Sequence, residues 1–556
     1  MRLDRRSVST LSRRIWQTWE HATSNPTKGQ QNFLSQLLRR NQSTVFGKEH
    51  GFASIQNIDD YRRQVPIADY EHFRPYVEQI SAGARRVLTR EQPFMFTLTS
   101  GTTGEAKLIP VTKAAQTIHG KLTTLWYCRA FLDHKRCFDG KVLGVVSPSV
   151  EGLTRAGIPY GSASALIYGS SPPWVKRRRA IPNEVSEIKD FTAKYYVTMR
   201  LGVEQDISFF GTPNPSTILK LVETADRFKE EIVKDIREGG ISHHFELADD
   251  IRQKLVSRLS ANPKRSKELD RFVSEGQNLR PAEYWPRLKL IGCWKGGTVG
   301  VRLREFDRWF AKETPVRDLG YMASEAQISL PISDRGAAGI LAIDANFYEF
   351  IPETEIGGAN PTMLTCAELD EGGTYHIVLT TPGGLYRYDI NDVVRVTGFY
   401  NQTPLIEFVR KGRDVSNITG EKLHVNQIIQ AMEHAQSAAG LTVQHYRSFA
   451  DLEKSRYTFL VEFDGATLPK EALSCLLNEL DSRLHQLNVE YAQKRESRRL
   501  AAPVLWVMKS GWFDAKARST LQRAGGVQFK SQLLTTVPED PSEALLIIEK
   551  TSEELK

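Results

Sequence analysis

The residues best suited to chemistry lie in a short segment at positions 99–107, where hydroxyl side chains and glycines lead to a lysine. The residues that carry these groups are Thr99, Ser100, Gly101, Thr102, Thr103, Gly104 and Lys107. Glycines let the backbone turn with its N–H groups inward, hydroxyls add neutral donors, and the ammonium group adds charge, so the segment could cradle a polyphosphate. The Gly-x-x-x-x-Gly-Lys-Ser/Thr spacing of P-loop NTPases is absent, and an ordinary Ser/Thr/Gly turn stays an open alternative.

The order of residues 99–107 resembles the phosphate loop of the adenylate-forming superfamily, which includes acyl-CoA synthetases, nonribosomal peptide adenylation domains and luciferases. Downstream, residues 321–325 resemble the Tyr-x-x-Ser/Thr-Glu motif of that superfamily. The resemblance implies that Tyr321 and Ser324 join the nucleotide site, with the hydroxyl of Ser324 facing the α-phosphate, and that Glu325 holds Mg²⁺. A carboxylate suits this ion, which is a hard cation that takes few protein carboxylates together with phosphate oxygens.

A third segment, residues 385–392, resembles a motif in which a Tyr-Arg pair is followed a few residues later by Gly-Asp. The resemblance implies that Asp392 accepts hydrogen bonds from both ribose hydroxyls, for which a carboxylate has the two oxygens required. Asn391 stands where the motif usually has glycine. Asparagine tolerates the left-handed backbone better than most residues, so the turn can still form.

Within the superfamily, the chain is similar to the acyl acid amido synthetases, the Gretchen Hagen family. This resemblance covers nearly the whole chain and rests on residues 70–76, 347–352, 396–401 and 487–491, which general acyl-CoA synthetases lack. Residues 525–530 are similar to a Gln-Tyr-Lys segment of the family, so Lys530 is implied to approach the nucleotide. Arg413 and residues 420–422 resemble the superfamily hinge, and Lys422 corresponds to a family lysine.

A glycine pair, Gly296 and Gly297, lies where relatives place a loop beside the adenine, after a predicted strand at 288–291. Glycines permit close approach of a flat base, although a structural turn is an equal alternative. The helix that follows the phosphate loop, around residues 119–126, is expected to supply walls of the acyl pocket.

Together these resemblances imply a two-step reaction with ATP and Mg²⁺ as cofactors. A small carboxylic acid becomes an acyl-adenylate, and an amine, expected to be an amino acid, then takes the acyl group. Lys107, Lys422 and Lys530 are expected to offset the charge that builds up on the phosphates. An acyl-CoA ligase, which forms the same adenylate and transfers the acyl group to coenzyme A, is the alternative enzyme.

The elements that must position these residues alternate between short apolar strands and longer helices, which predicts an α/β fold. The first 40 residues show helical spacing and predict a helical arm, and short strand candidates at 377–381, 393–397 and 405–409 predict a β-rich subdomain within 341–410. Near the C-terminal end, leucines at helical spacing over residues 473–484 predict a helix with one apolar face. We expect a large N-terminal domain over residues 1–410, which would bind ATP and the acyl substrate. A small mobile α/β C-terminal lid domain over residues 411–556 would follow, with the hinge near 410–422.

The composition excludes several other classes of protein. The 74 Lys and Arg exceed the 66 Asp and Glu by only 8, and no nucleic-acid motif accompanies the basic clusters, so a nucleic-acid partner is not expected. No stretch is apolar enough to span a membrane or form a secretory signal, which predicts a soluble cytoplasmic enzyme with no membrane partner. Five cysteines without metal or redox spacing are expected to be reduced.

Overall fold

The chain divides into two compact units in this computed structural model, residues 1–408 and residues 409–556. The structure describes residues 5–99, 107–145, 150–161, 169–275, 278–296, 303–356, 358, 360–412, 415–416, 418, 421, 423–451, 454–464, 468–488, 491–492, 495, 500–524, 533–535 and 538–549. Each unit has its own hydrophobic core. Among these residues no helix combines the length and the apolar character that crossing a bilayer requires.

Helices and strands are interspersed in both units, which confirms the predicted α/β fold class. The described helices are α1 (Arg5–Ala22), α2 (Pro26–Asn41), α3 (Val45–Glu49), α4 (Ile58–Gln64), α5 (Tyr70–Ser81), α6 (Lys113–Asp133), α7 (Pro173–Lys176), α8 (Phe191–Glu204), α9 (Pro215–Arg227), α10 (Lys229–Glu238), α11 (Asp249–Val256), α12 (Pro263–Ser274), α13 (Pro281–Tyr284), α14 (Phe306–Trp309), α15 (Val425–Ala439), α16 (Lys470–Leu487) and α17 (Trp512–Ala524). The described strands are β1 (Met95–Thr99), β2 (Lys107–Val111), β3 (Lys141–Gly144), β4 (Gly152–Leu153), β5 (Pro159–Gly161), β6 (Ile207–Gly211), β7 (Leu290–Gly292), β8 (Val316–Arg317), β9 (Ser329–Leu330), β10 (Gly339–Leu341), β11 (Phe347–Pro352), β12 (Thr374–Thr380), β13 (Tyr388–Tyr400), β14 (Thr403–Lys411), β15 (Val415–Ser416), β16 (Leu423–His424), β17 (His445–Asp451), β18 (Arg456–Glu462), β19 (Val504–Met508), β20 (Leu534–Thr535) and β21 (Ala544–Glu549).

The predicted helical arm is confirmed in α1 and α2. Asn25 accepts a hydrogen bond from the N–H of Lys28 and so caps α2, whose first residue is proline. The backbone carbonyl of Thr23 accepts the Thr403 hydroxyl at 2.8 Å, and the Thr23 hydroxyl accepts the Asn401 amide at 2.7 Å. The family stretch 396–401 therefore helps to fasten the arm to the body of the first unit.

A parallel sheet of order β3-β6-β7-β8 lies between two hydrophobic clusters. Phe210 and Ile291 belong to the cluster that contains α8 and α9, whereas their neighbours Phe209 and Leu290 pack into the cluster that contains α6. Successive strand residues point to opposite faces, so both faces need apolar side chains. This explains why β3, β6 and β7 are mostly apolar.

Two other sheets lie in the described part of the first unit. One has the order β2-β1-β5-β4, and the other is a six-stranded sheet of order β11-β12-β13-β14-β10-β9. The larger sheet contains the strand candidates predicted within 341–410, so the predicted β-rich region is confirmed. On β11 of this sheet, the buried carboxylate of Glu349 accepts hydrogen bonds from Arg387 at 2.8 Å and Arg62 at 2.9 Å. Pairing of this kind compensates the desolvation of charges inside a core.

The described part of the second unit contains a five-stranded sheet of order β20-β17-β18-β19-β21 and the two-stranded sheet β15-β16, with α15 and α16 packed together. A single stripe of α16 faces its core, and its buried members are Leu473, Leu476, Leu477, Leu480 and Leu484. The 3.6-residue period predicted this stripe from the sequence.

Candidate active site

The segment predicted to bind phosphates connects β1 and β2, which pair antiparallel with Thr99 opposite Lys107. Its central residues, which are Ser100, Gly101, Thr102, Thr103 and Gly104, lie outside the described residues. The two ends of the segment are therefore neighbours across a hairpin. Lys107, the predicted cationic residue of this segment, is among the residues that the structure describes.

Tyr70, at the start of α5, supports the hairpin next to Lys107. Its hydroxyl donates to the Leu108 carbonyl at 3.0 Å and accepts the Leu108 N–H at 2.9 Å. Because β2 is the edge strand of its sheet among the described residues, this hydroxyl occupies backbone groups that no described strand pairs with. The ammonium of Lys107 lies 5.4 Å from the centre of the Tyr70 ring. Tyr70 thus fixes both the backbone and the charged side chain at this end of the segment.

Changing Tyr70 to phenylalanine is expected to raise the KM for ATP about tenfold, because small displacements of a positioning group strongly affect the chemistry. The variant keeps the ring but leaves the Leu108 N–H and carbonyl without their partner. Steady-state kinetics in ATP would measure the change. Tyr196→Phe is the matched control, since its hydroxyl donates to the Asp235 carboxylate at 2.6 Å, away from the predicted site segments. Equal KM values for the two variants would contradict the role of Tyr70.

Residues 321–325, which carry Glu325 and which we call the metal segment, lie against β1. The Thr97 hydroxyl donates to the Ser324 carbonyl at 3.3 Å. The segment reverses direction between Met322 and Gln327, which form an isolated antiparallel bridge. The strand that leads into the phosphate segment and the predicted metal segment are therefore in contact.

Asp392 is placed by an irregularity between β12 and β13. Ile377 pairs with Asp392, while the next residue, Val378, pairs with Asp389. Ile390 and Asn391, which lie between these two partners, therefore form a bulge. Asn391, at φ 58°, takes the left-handed backbone there, and its N–H donates to the Asp389 carboxylate at 2.6 Å. The asparagine at the position of the usual glycine thus supports the required turn.

Two tyrosine hydroxyls cross-link the carboxylates of the two motifs. Tyr321, from the metal segment, donates to Asp392. Tyr388, from residues 385–392 with the predicted ribose aspartate, donates to Glu325 at 3.3 Å. Burial raises the pKa of both tyrosines, and the neighbouring carboxylates raise it further, so both remain donors. We call these two hydrogen bonds the crossed pair.

Tyr388 was missed by sequence reasoning. It pairs with Leu379, two residues from the partner of Asp392, so both lie on the same face of the sheet. The alternation of side chains between the two faces of β13 could have indicated this shared face, but the extra residues of the bulge interrupt the alternation. The crossed pair also holds the half-buried carboxylate of Glu325 in place. Carboxylate oxygens are ligands of the kind that Mg²⁺ prefers.

The predicted base loop is described as far as Gly296, and Gly297 lies outside the described residues. A Cβ atom at Gly296 would lie 3.0 Å from the Ala337 Cβ and 3.5 Å from the Phe408 carbonyl oxygen. The ring of Phe408 lies 5.4 Å from that of Tyr321. Gly296 therefore lies near an aromatic pair that includes a predicted nucleotide residue.

The remaining predicted residues, Arg413, Lys422 and Lys530, lie outside the described residues. Next to Lys422, Glu421 is buried, and its carboxylate accepts the Ile418 N–H at 2.7 Å. Its backbone carbonyl accepts the Asn488 amide at 2.9 Å, which gives the family stretch 487–491 a structural role in the second unit.

Three consecutive family profiles match the chain. They are the GH3 family N-terminal domain over residues 16–316, the GH3 family central domain over residues 339–411 and the GH3 family C-terminal domain over residues 426–539. The first alone spans more than half of the sequence. The chain belongs to the GH3 family.

Curated relatives of this GH3 protein are amido synthetases. The indole-3-acetic acid-amido synthetase GH3.10 of Arabidopsis thaliana is 25% identical over 93% of this chain and 94% of its own length. The jasmonoyl-L-amino acid synthetase GH3.5 of Oryza sativa subsp. japonica is 26% identical over 92% of this chain and 93% of its own. The structure of the AtGH3.15 acyl acid amido synthetase in complex with 2,4-DB matches at a TM-score of 0.83, with 19% identity and 97% of each chain covered. The predicted family and the enzyme class, an amide-forming ligase, are confirmed.

Proposed function

We propose that this GH3 protein activates a small carboxylic acid with ATP and Mg²⁺ and transfers the acyl group to an amine, most simply an amino acid. A carboxylate oxygen of the acid attacks the α-phosphorus, the bond to the β-phosphate breaks, and acyl-AMP and pyrophosphate form. The amine then attacks the acyl carbonyl, and AMP leaves as the amide forms. Relatives named for indole-3-acetic acid and jasmonate support an acyl acid and an amino acid as the two substrates.

The observation that carries this proposal is the crossed pair. It joins Glu325 and Asp392, and Thr97 joins the same assembly to the strand that leads into the phosphate segment. In our proposal Asp392 binds the ribose hydroxyls and Ser324 and Tyr321 contact the nucleotide. A nucleotide held at both ribose and phosphate presents its α-phosphorus in one orientation, which removes much of the entropic barrier to attack.

The attack joins two anions, so positive charge near the phosphates is required. Mg²⁺ held by Glu325 would neutralise part of the phosphate charge when bound. Lys107 supplies a fixed point charge from the first unit, with Tyr70 behind it. Lys422, Lys530 and Arg413 belong to the second unit, which we propose to be the lid, with the hinge near residues 410–422. Closure of a lid excludes water from a reactive adenylate, and a second arrangement admits the amine.

Helix α6 follows the phosphate hairpin, and we propose that its residues 119–126 line the acyl pocket. His119 is buried, and burial lowers its pKa to about 4. It is therefore a neutral group at physiological pH. A neutral wall suits the apolar body of an acyl acid better than a charged one does.

ATP–pyrophosphate exchange with a panel of carboxylic acids tests this function. We expect exchange that depends on one class of acid, and amide product when amino acids are added. Product analysis by mass spectrometry would distinguish an amide from a thioester when coenzyme A is supplied in place of the amine. Absence of exchange with every acid of the panel would reject adenylate formation, and thioester without amide would reassign the chain as an acyl-CoA ligase.

A further inference from the structure

Asp318 is a buried acid just after β8 that the reaction outlined above does not use. It is only 3% exposed. Its carboxylate accepts the Lys295 N–H and the Gly320 N–H, each at 2.6 Å, one on each oxygen. Its backbone carbonyl accepts the indole N–H of Trp126 at 2.9 Å. One residue thus joins three elements that are far apart in the sequence.

Each of these three elements leads into a different part of the candidate site. Lys295 directly precedes Gly296 in the base loop, and Gly320 directly precedes Tyr321. Trp126 lies on α6, the helix proposed to line the acyl pocket. Gly320 has φ 96°, and a Cβ there would lie 2.4 Å from the Ser329 carbonyl oxygen, so the backbone is close-packed at this point. The Asp318 carboxylate is therefore the shared anchor of the base loop and the metal segment.

The charged groups around Asp318 hold the base loop from the other side. The Lys295 ammonium donates to the Val316 carbonyl at 3.1 Å and to the Asp334 carbonyl. Arg317 donates to the Asp334 carboxylate at 2.7 Å and to that of Asp133 at 2.8 Å. Burial raises the pKa of Asp318 to about 6 in spite of the N–H donors. Burying a carboxylate is costly, and here the two backbone N–H donors offset that cost, so the carboxylate fixes the two segments that carry them.

We propose that Asp318 is a positioning residue that fixes the base loop relative to the segment carrying Tyr321 and Glu325, and thereby sets both ATP affinity and the preference for adenine. This inference rests on the proposed function. It adds a determinant of base specificity that touches no nucleotide itself, because it acts through the backbone of Lys295 and Gly320. An amide at this position would turn one acceptor into a donor that faces an N–H group.

Asp318→Asn tests the inference. We expect the KM for ATP to rise about tenfold or more, kcat at saturating ATP to stay within about threefold, and the preference for ATP over GTP to fall. Direct binding of ATP by calorimetry should weaken to the same extent as the KM. Asp133→Asn is the matched control, because it removes a partner of Arg317 in the same network without touching the Asp318 hydrogen bonds. It should lower thermal stability but leave the ATP KM and the base preference as in the wild type.

A second variant, Trp126→Phe, covers the case in which Asp318→Asn does not fold. The substitution removes the indole N–H that binds the Asp318 carbonyl and also shrinks a buried side chain, so the ATP KM should rise several-fold and thermal stability should fall. Unchanged ATP KM and base preference in the folded variants would overturn the inference, as would equal changes in Asp133→Asn. These results differ from failure of the proposed function, in which the wild-type protein itself shows no exchange with any acid.

Discussion

Changing Glu325 to glutamine is expected to reduce the kcat of pyrophosphate exchange about 10³-fold while the protein stays folded. The amide retains an oxygen that can accept the Tyr388 hydroxyl, so the crossed pair can persist. The negative charge that Mg²⁺ requires is lost, and metal stabilisation of a phosphoryl transition state contributes several kcal/mol, or roughly three powers of ten. Exchange rates measured across a series of Mg²⁺ concentrations would show the loss and a higher Mg²⁺ requirement.

Two companion variants separate charge from structure. Tyr388→Phe keeps the carboxylate and removes only its hydrogen-bond donor, so we expect a smaller loss of about tenfold, typical of residues that orient a metal ligand. Glu368→Gln alters an exposed carboxylate that accepts the Thr365 N–H at 2.8 Å, and exchange should stay within about twofold. A rate for Glu325→Gln within tenfold of the wild type would remove Glu325 from the metal site.

Periodic elements of this fold could be predicted from the sequence because their side chains face one core. The leucine stripe of α16 and the strands within 341–410 follow directly from spacing. Exact bounds could not be predicted. The strand candidate at 393–397 is part of the longer β13, which begins at Tyr388 and continues through the bulge before Asp392. A bulge depends on the partner strand, and the sequence of one strand does not contain that information.

The candidate site divides in the same way. Glu325 and Asp392 stand out in the sequence because their motifs have specific residue orders. The roles of Tyr388, Tyr70 and Asp318 do not stand out, even though the first two lie within the motif segments, because these residues act through contacts made only in the folded chain. Tyr70, for example, meets β2 through a single hydroxyl 38 positions along the chain. The roles of the family stretches 347–352 and 396–401 likewise became visible only in the fold, where Glu349 pairs with Arg387 and Asn401 binds Thr23 of the arm.

Changing Asp392 to asparagine is expected to raise the KM for ATP about 10²-fold, because hydrogen bonds to a charged acceptor are about twice as strong as neutral ones. The Tyr321 hydroxyl already occupies one oxygen of this carboxylate. An asparagine has a single acceptor oxygen, so Tyr321 and the ribose must compete for it. Kinetics with ATP and with 2′-deoxy-ATP would measure the effect.

The wild-type protein should strongly prefer ATP over 2′-deoxy-ATP, and Asp392→Asn should lose most of that preference. Asp344→Asn is the matched control, because the Asp344 carboxylate accepts the indole N–H of Trp19, a residue of the helical arm, at 3.0 Å. It should keep the preference in full. If Asp392→Asn discriminated against 2′-deoxy-ATP as well as the wild type does, Asp392 would not bind the ribose. The crossed pair would then be a purely structural link between β13 and the metal segment, since the same carboxylate would serve only Tyr321.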